Sequence, residues 1–138
     1  MRRLIMLLLL TLAPLLVAGC GSDGGTDPGA SVVGTYALTS IDGSPLPFSF
    51  IDGEFKVVVV RDELTLAPGD IFTRRAVFTV TEGGVTTTQE EVVSGRYAVA
   101  GSTITFRLAE GDPTTNGTVS GRSITIVSDG STLIYVRQ

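Results

Sequence analysis

From residue 32 to the end of the chain, a glycine or an Asp-Gly pair returns about every eight to twelve residues, and the stretches between are rich in Val, Thr, Ile, Phe and Tyr. Glycine supplies the tight corner of a turn, and β-branched and aromatic side chains suit a pleated strand. Nowhere is the three-to-four spacing of an amphipathic helix sustained. A chain punctuated in this way has room for short strands joined by hairpins. The fold class is therefore all-β and antiparallel.

The strands can be placed one by one. Residues 33–41 form the first, and Ile41-Asp42-Gly43-Ser44-Pro45 a turn or loop in which Pro45 and Pro47 block regular pairing. Residues 55–60 and 63–67 make one strand, or two with a bend at Arg61-Asp62. Pro68-Gly69-Asp70 turns the chain into a long strand at 71–81, where Ala76, Phe78 and Val80 alternate with Val77, Thr79 and Thr81. Glu82-Gly83-Gly84 is a hairpin turn, and 85–93 returns with an exposed run from Thr86 to Glu91. A separate strand at 96–99 leads into 103–108, where Ile104, Phe106 and Leu108 point one way and Thr103, Thr105 and Arg107 the other. After a turn at Glu110-Gly111-Asp112-Pro113 come 115–120, 123–127 and 132–137, the last two joined through Ser128-Asp129-Gly130-Ser131. Val93-Ser94-Gly95-Arg96 recurs as Val119-Ser120-Gly121-Arg122, an echo read as repeated hairpin geometry. The expected domain at 32–138 is thus an up-and-down meander of about eight to ten strands. Closing such a meander into a barrel removes its edges, and a β-sandwich is the alternative.

The first 31 residues have a different character. Arg2 and Arg3 precede an apolar run at 4–17 broken only by Thr11 and Pro14, and small residues lead into Cys20. This is the layout of an export signal, and it is short for a membrane span, which needs about 20 apolar residues. Val17-Ala18-Gly19-Cys20 resembles the lipobox of bacterial lipoproteins. The resemblance implies a signal peptide at 1–19, cleavage before Cys20 and lipid on that cysteine. Two or three acyl chains on one residue hold a protein durably at a membrane, whereas one holds it only marginally. Residues 20–31 then read as a lipidated cysteine and a Gly/Ser/Asp tether, with no apolar side chain larger than alanine after Cys20. Gly21 stands where an aspartate favours inner-membrane retention in enterobacterial lipoproteins, so the resemblance points to the outer membrane of a cell envelope that has one.

Charge and composition exclude several function classes. The formal charge is −4, or −6 without Arg2 and Arg3, and Lys56 is the single lysine. Nucleic-acid binding and electrostatic adhesion to anionic lipid both need a basic patch. The chain has no histidine, which removes His-based triads and makes a transition-metal site unexpected. Cys20 is the only cysteine, so no internal disulfide forms. Lys56 precedes four valines and reads as an outward strand residue. Among the carboxylates Asp42, Asp52, Glu54, Asp62, Glu63, Glu90, Glu91, Glu110 and Asp112, none follows calcium-loop spacing, and Asp42, Asp52 and Asp129 precede glycine as turn residues do. Asn116-Gly117-Thr118 likewise reads as a turn. Arg74 and Arg75 stand out as adjacent cations. One of them faces inward or sits at a rim, as a counter-charge for an acidic ligand or as the partner of Glu90 or Glu91 across the hairpin.

Val33-Gly34-Thr35-Tyr36-Ala37-Leu38 opens the domain and Tyr135-Val136-Arg137 closes it. This pattern resembles the lipocalin-like barrels of small bacterial lipoproteins, in which a Gly-x-Trp on the first strand packs across the barrel base near an arginine of the last. Gly34 and Arg137 would fill those places, with Tyr36 where tryptophan is usual. The resemblance implies a membrane-tethered binding module; because the usual nucleophile and base combinations are missing, no enzymatic activity and no cofactor are expected, and the chain reads as a monomer. Its barrel would hold a small apolar ligand among Phe78, Ile104, Phe106 and Ile126. The alternative is a structural or interaction lipoprotein with a filled core and an envelope-protein partner.

Overall fold

The computed structural model describes residues 32–109 and 114–138, so Cys20, the tether and the turn expected at 110–113 lie outside it. The described residues form ten strands and no helix: β1 Gly34–Ile41, β2 Ser44–Pro45, β3 Phe48–Asp52, β4 Phe55–Ala67, β5 Ile71–Glu82, β6 Val85–Ala100, β7 Thr103–Leu108, β8 Thr114–Ser120, β9 Ser123–Ser128 and β10 Ser131–Arg137. Strands β4 to β10 pair antiparallel in chain order, and β1 pairs with both β10 and β4. Eight strands thereby close a barrel, which decides between barrel and sandwich. Strands β2 and β3 are additions at one end. The Asp-Gly pairs make the expected tight turns. Asp42 and Gly43 have φ of 50° and 77°, and Asp129 and Gly130 have 51° and 82°. Two successive positive φ values define the turn whose twist matches a hairpin. The Asp42 carboxylate also accepts the Thr132 backbone N–H at 2.7 Å, tying that turn to β10.

Four details differ from expectation. Ser44 and Pro45, expected in an unpaired turn or loop, form β2 on the end of β1, and residues 48–52, given no element above, form β3 on the outer half of β4. Proline is tolerated in β2 because that two-residue strand is an edge. Residues 85–93 and 96–99 belong to one strand of 16 residues. Ser94-Gly95 does not turn there. A Cβ on Gly95 would collide with the Arg107 carbonyl and lie 2.8 Å from Phe72 Cε1, so this glycine permits close strand approach. The two Val-Ser-Gly-Arg segments are accordingly unlike, the first mid-strand and the second at the β8–β9 turn. Asn116-Gly117 also lies inside a strand, where Ile104 and Ile126 pack over Gly117.

The core is a single cluster within the barrel: Val32, Tyr36, Leu38, Ile41, Leu64, Leu66, Phe72, Tyr97, Ile104, Phe106, Ile124 and Tyr135. Phe72 and Phe106 meet edge to face, with centroids 5.1 Å apart. Such pairs contribute about 0.5–1.5 kcal/mol beyond the area they bury. The end where β1 starts and β10 finishes is the closed base. There the Arg137 guanidinium lies 5.9 Å from the centre of the Tyr36 ring and donates to the Val33 carbonyl. A Cβ on Gly34 would sit 2.7 Å from Arg137 Nε, so glycine makes the space that the arginine fills. The Tyr36 hydroxyl donates to the Val32 carbonyl at 2.8 Å, and the Tyr97 hydroxyl to the Ala67 carbonyl at 3.2 Å.

Candidate functional site

The opposite end of the barrel is open, and a bulge in β4 shapes it. Register shifts between Val59 and Arg61, so Val60 is an extra residue. Side chains alternate faces along a strand, and one inserted residue reverses which residues point inward. Val57 and Val59 share a face with Val80 and Phe78 of β5, and beyond Val60 that same face carries Asp62, Leu64 and Leu66. The bulge is what turns Asp62 into the barrel, where it is 1% exposed.

Asp62 meets Arg74 of β5. Arg74 Nε donates to Asp62 Oδ2 at 2.9 Å, and Arg74 Nη2 to the same oxygen at 2.5 Å. Burial works to lower the Arg74 pKa and is the largest single influence, but the hydrogen bond and charge of Asp62, together with Tyr135, outweigh it and hold the guanidinium more firmly charged than usual. The Tyr135 hydroxyl lies beside both. Burial raises its pKa, and the charge of Arg74 only partly offsets that. The Asp62 side chain is fully enclosed, while Arg74 keeps 38% of its side-chain surface exposed.

Above this pair lies a cavity of about 270 Å³. Its lining is mostly apolar, including Phe72 of β5, Phe106 and Leu108 of β7, Ile126 of β9 and Leu133 of β10, and Arg74, Glu91 and Tyr135 bring polar groups to it. Where β6 separates from β7, a side groove of about 270 Å³ shares Val93 and Leu108 with the cavity. Of the four residues expected to line a ligand site, Phe106 and Ile126 line this cavity. Ile104 lies deeper and is fully buried. Phe78 is farther out on β5, in register with Val59 and Gln89. The two arginines divide their roles. Arg74 faces inward to Asp62, and Arg75 reaches Glu90 across the hairpin at 3.6 Å with both side chains about half exposed.

Strands β3, β4, β5 and β6 extend past the mouth as a single-layer arm. Cross-strand pairing sets Phe48, Val59 and Phe78 in one row, and Phe50, Val57 and Val80 in the next. Because β5 runs without interruption, this apolar face continues the inner face of the barrel. Its back carries Ser49, Val58, Thr79 and Thr88 in one row and Ile51, Lys56, Thr81 and Thr86 in the next. Phe50, Phe55 and Val85 remain exposed.

Sequence reasoning missed the partnership of Asp62 with Arg74. The signal was present as a carboxylate in mid-strand beside a suspected bend, but its direction depends on whether the bend is a bulge. Among the described residues no group of three or more His, Cys, Asp or Glu side chains is placed to hold a metal ion. No known protein family matches the chain, and no curated protein matches it.

Proposed function

We propose that the chain is a lipid-anchored, non-enzymatic lipoprotein of the cell envelope whose barrel binds a small molecule with an apolar body at its open end. The observation that carries the binding role is the cavity of about 270 Å³, whose lining is mostly apolar, with Phe106, Leu108, Ile126 and Leu133 among it. Small-molecule sites are concave, mostly apolar and furnished with a few fixed polar groups, and they commonly occupy barrel mouths. The lipobox-like Val17-Ala18-Gly19-Cys20 supports the anchor. Residues 20–138 carrying Cys20→Ser, titrated with an environment-sensitive naphthalene dye, are expected to give one saturable site that octyl compounds displace. Replacing Ile126 by Trp should fill the cavity and abolish that site without loss of folding. A signal that rises without saturation, or that survives the filled cavity, overturns the binding role. For the anchor, an alkynyl fatty acid fed to cells should label the wild-type chain and leave Cys20→Ser unlabelled.

The arm supports a second reading, in which the domain meets an envelope protein. Unpartnered apolar sheet faces of this kind commonly mark interaction sites. A photo-crosslinking residue at Phe50, in intact membranes, would then yield a discrete adduct, and its absence alongside dye binding favours the first reading.

A further inference from the structure

Apolar lining accounts for an apolar body in the cavity but not for the charges beside it. Asp62 occupies the Nε and Nη2 edge of Arg74, so its carboxylate is already matched. The rest of the guanidinium, 38% exposed as a side chain, belongs to the cavity wall. Glu91 lines the same wall from β6. Register sets Glu91 opposite Ala76 and Arg74 opposite Val93, so the two charges share the inner face one diagonal step apart. Diagonal neighbours are separated by about 7–8 Å between Cα atoms. Among the described residues no ion pair joins them. A part-exposed cation and an exposed carboxylate thus line one cavity together with Phe106, Leu108, Ile126 and Leu133.

We infer that the occupant is a small zwitterion with an apolar group. Its anionic end meets Arg74, its cationic end meets Glu91, and its body lies against the apolar side chains of the same cavity. The inference rests on the binding role proposed above and names the ligand class of that site. With Asp62 matched by Arg74, a purely anionic amphiphile would leave Glu91 without a partner, and a purely cationic one would leave the remaining edge of Arg74 without an acceptor. The volume lies just below the roughly 300–1,000 Å³ of drug-sized sites, which limits the body to a short chain or one aromatic ring. A short-chain zwitterionic lipid and a free apolar amino acid share this chemistry.

Calorimetric titration of residues 20–138 with Cys20→Ser would compare octylphosphocholine below its micellar concentration, phenylalanine, octanoate, octylammonium and octanol. The expected result is that at least one zwitterion binds about tenfold more tightly than octanoate, octylammonium and octanol. Binding by octylphosphocholine alone assigns the lipid source, and binding by phenylalanine alone assigns the amino acid. Glu91 is exposed, so Glu91→Gln should fold normally. It should weaken the zwitterion about fivefold, as for a solvent-accessible ion pair, and leave octanol unchanged. Octanoate, octylammonium or octanol binding as tightly as the tighter of the two zwitterions, or a Glu91→Gln variant with unaltered preference, overturns the zwitterion assignment while the barrel remains a binding site. Failure of every probe overturns the binding role itself.

Discussion

Asp62 is the residue on which the open end depends. It is 1% exposed and its two oxygens are held by one guanidinium. Removing one member of a buried pair leaves the other uncompensated, at a cost of about 3–5 kcal/mol. Arg74 is partly solvated from the cavity, so Asp62→Ala should fall at the lower end, about 3 kcal/mol, measured as a shift of the urea midpoint. Replacing both together, Asp62→Leu with Arg74→Met, should recover most of that loss, since apolar substitution of a whole buried pair is often neutral or stabilising. The double variant would then fold with an altered cavity, separating the pair's part in binding from its part in stability. Gly95 illustrates the opposite case, where space rather than charge decides. Its missing Cβ is where the Arg107 carbonyl and the Phe72 ring lie. Gly95→Ala should therefore cost about 2–3 kcal/mol in the same assay, by forcing β6 and β7 apart.

At the scale of elements, the β4 bulge joins two sheets with different surroundings, the closed barrel and the arm. Deleting Val60 would restore simple alternation, and Asp62, Leu64 and Leu66 would then lose the inner face while Val57 and Val59 kept it. Two of the most buried leucines would be exposed, so the deletion should abolish the cooperative thermal transition seen by circular dichroism. A transition retained within a few degrees would show that the bulge is dispensable. This element also marks how far the sequence could be read. Alternation in 103–108 and 71–81 was legible because Ile104 and Phe106, or Ala76 and Phe78, repeat without a break. The change of face at Val60 was not, since Val57-Val58-Val59-Val60 offers no polar residue to show which side is solvated. Ser94-Gly95 misled for a related reason. Glycine can mark the corner of a hairpin, as at Gly43 and Gly130, or a close approach within a sheet, as at Gly95, and residue type alone does not distinguish them. Residues 48–52 were passed over because Pro45 and Pro47 forbid ladder bonds only at their own positions, leaving Phe48 to Asp52 able to pair with β4.

For the molecule as a whole, closure was legible at its two ends, where Gly34, Tyr36 and Arg137 come together at the base. The cavity was not, because its depth depends on the shear of eight strands and on where each side chain stops. The chain's three tyrosines report on the closed barrel as a unit. Burial raises the pKa of Tyr36, against the opposing charge of Arg137. Burial likewise raises Tyr97, helped by Asp70, and raises Tyr135 against the charge of Arg74. Below about pH 10, the ordinary tyrosine value, folded and unfolded chains both keep these protons and no stability is lost. Above it the unfolded chain releases them while the folded barrel retains them. The unfolded state then binds fewer protons, and stability falls as pH rises. The chain has no tryptophan, so the near-ultraviolet tyrosinate band can be followed without overlap. An alkaline titration should show little tyrosinate in the folded protein just above pH 10, then all three ionising in one step that coincides with loss of the circular-dichroism signal. Independent ionisation of any tyrosine near pH 10 in the folded protein would mean that its hydroxyl is solvated and that the barrel does not bury it as a unit.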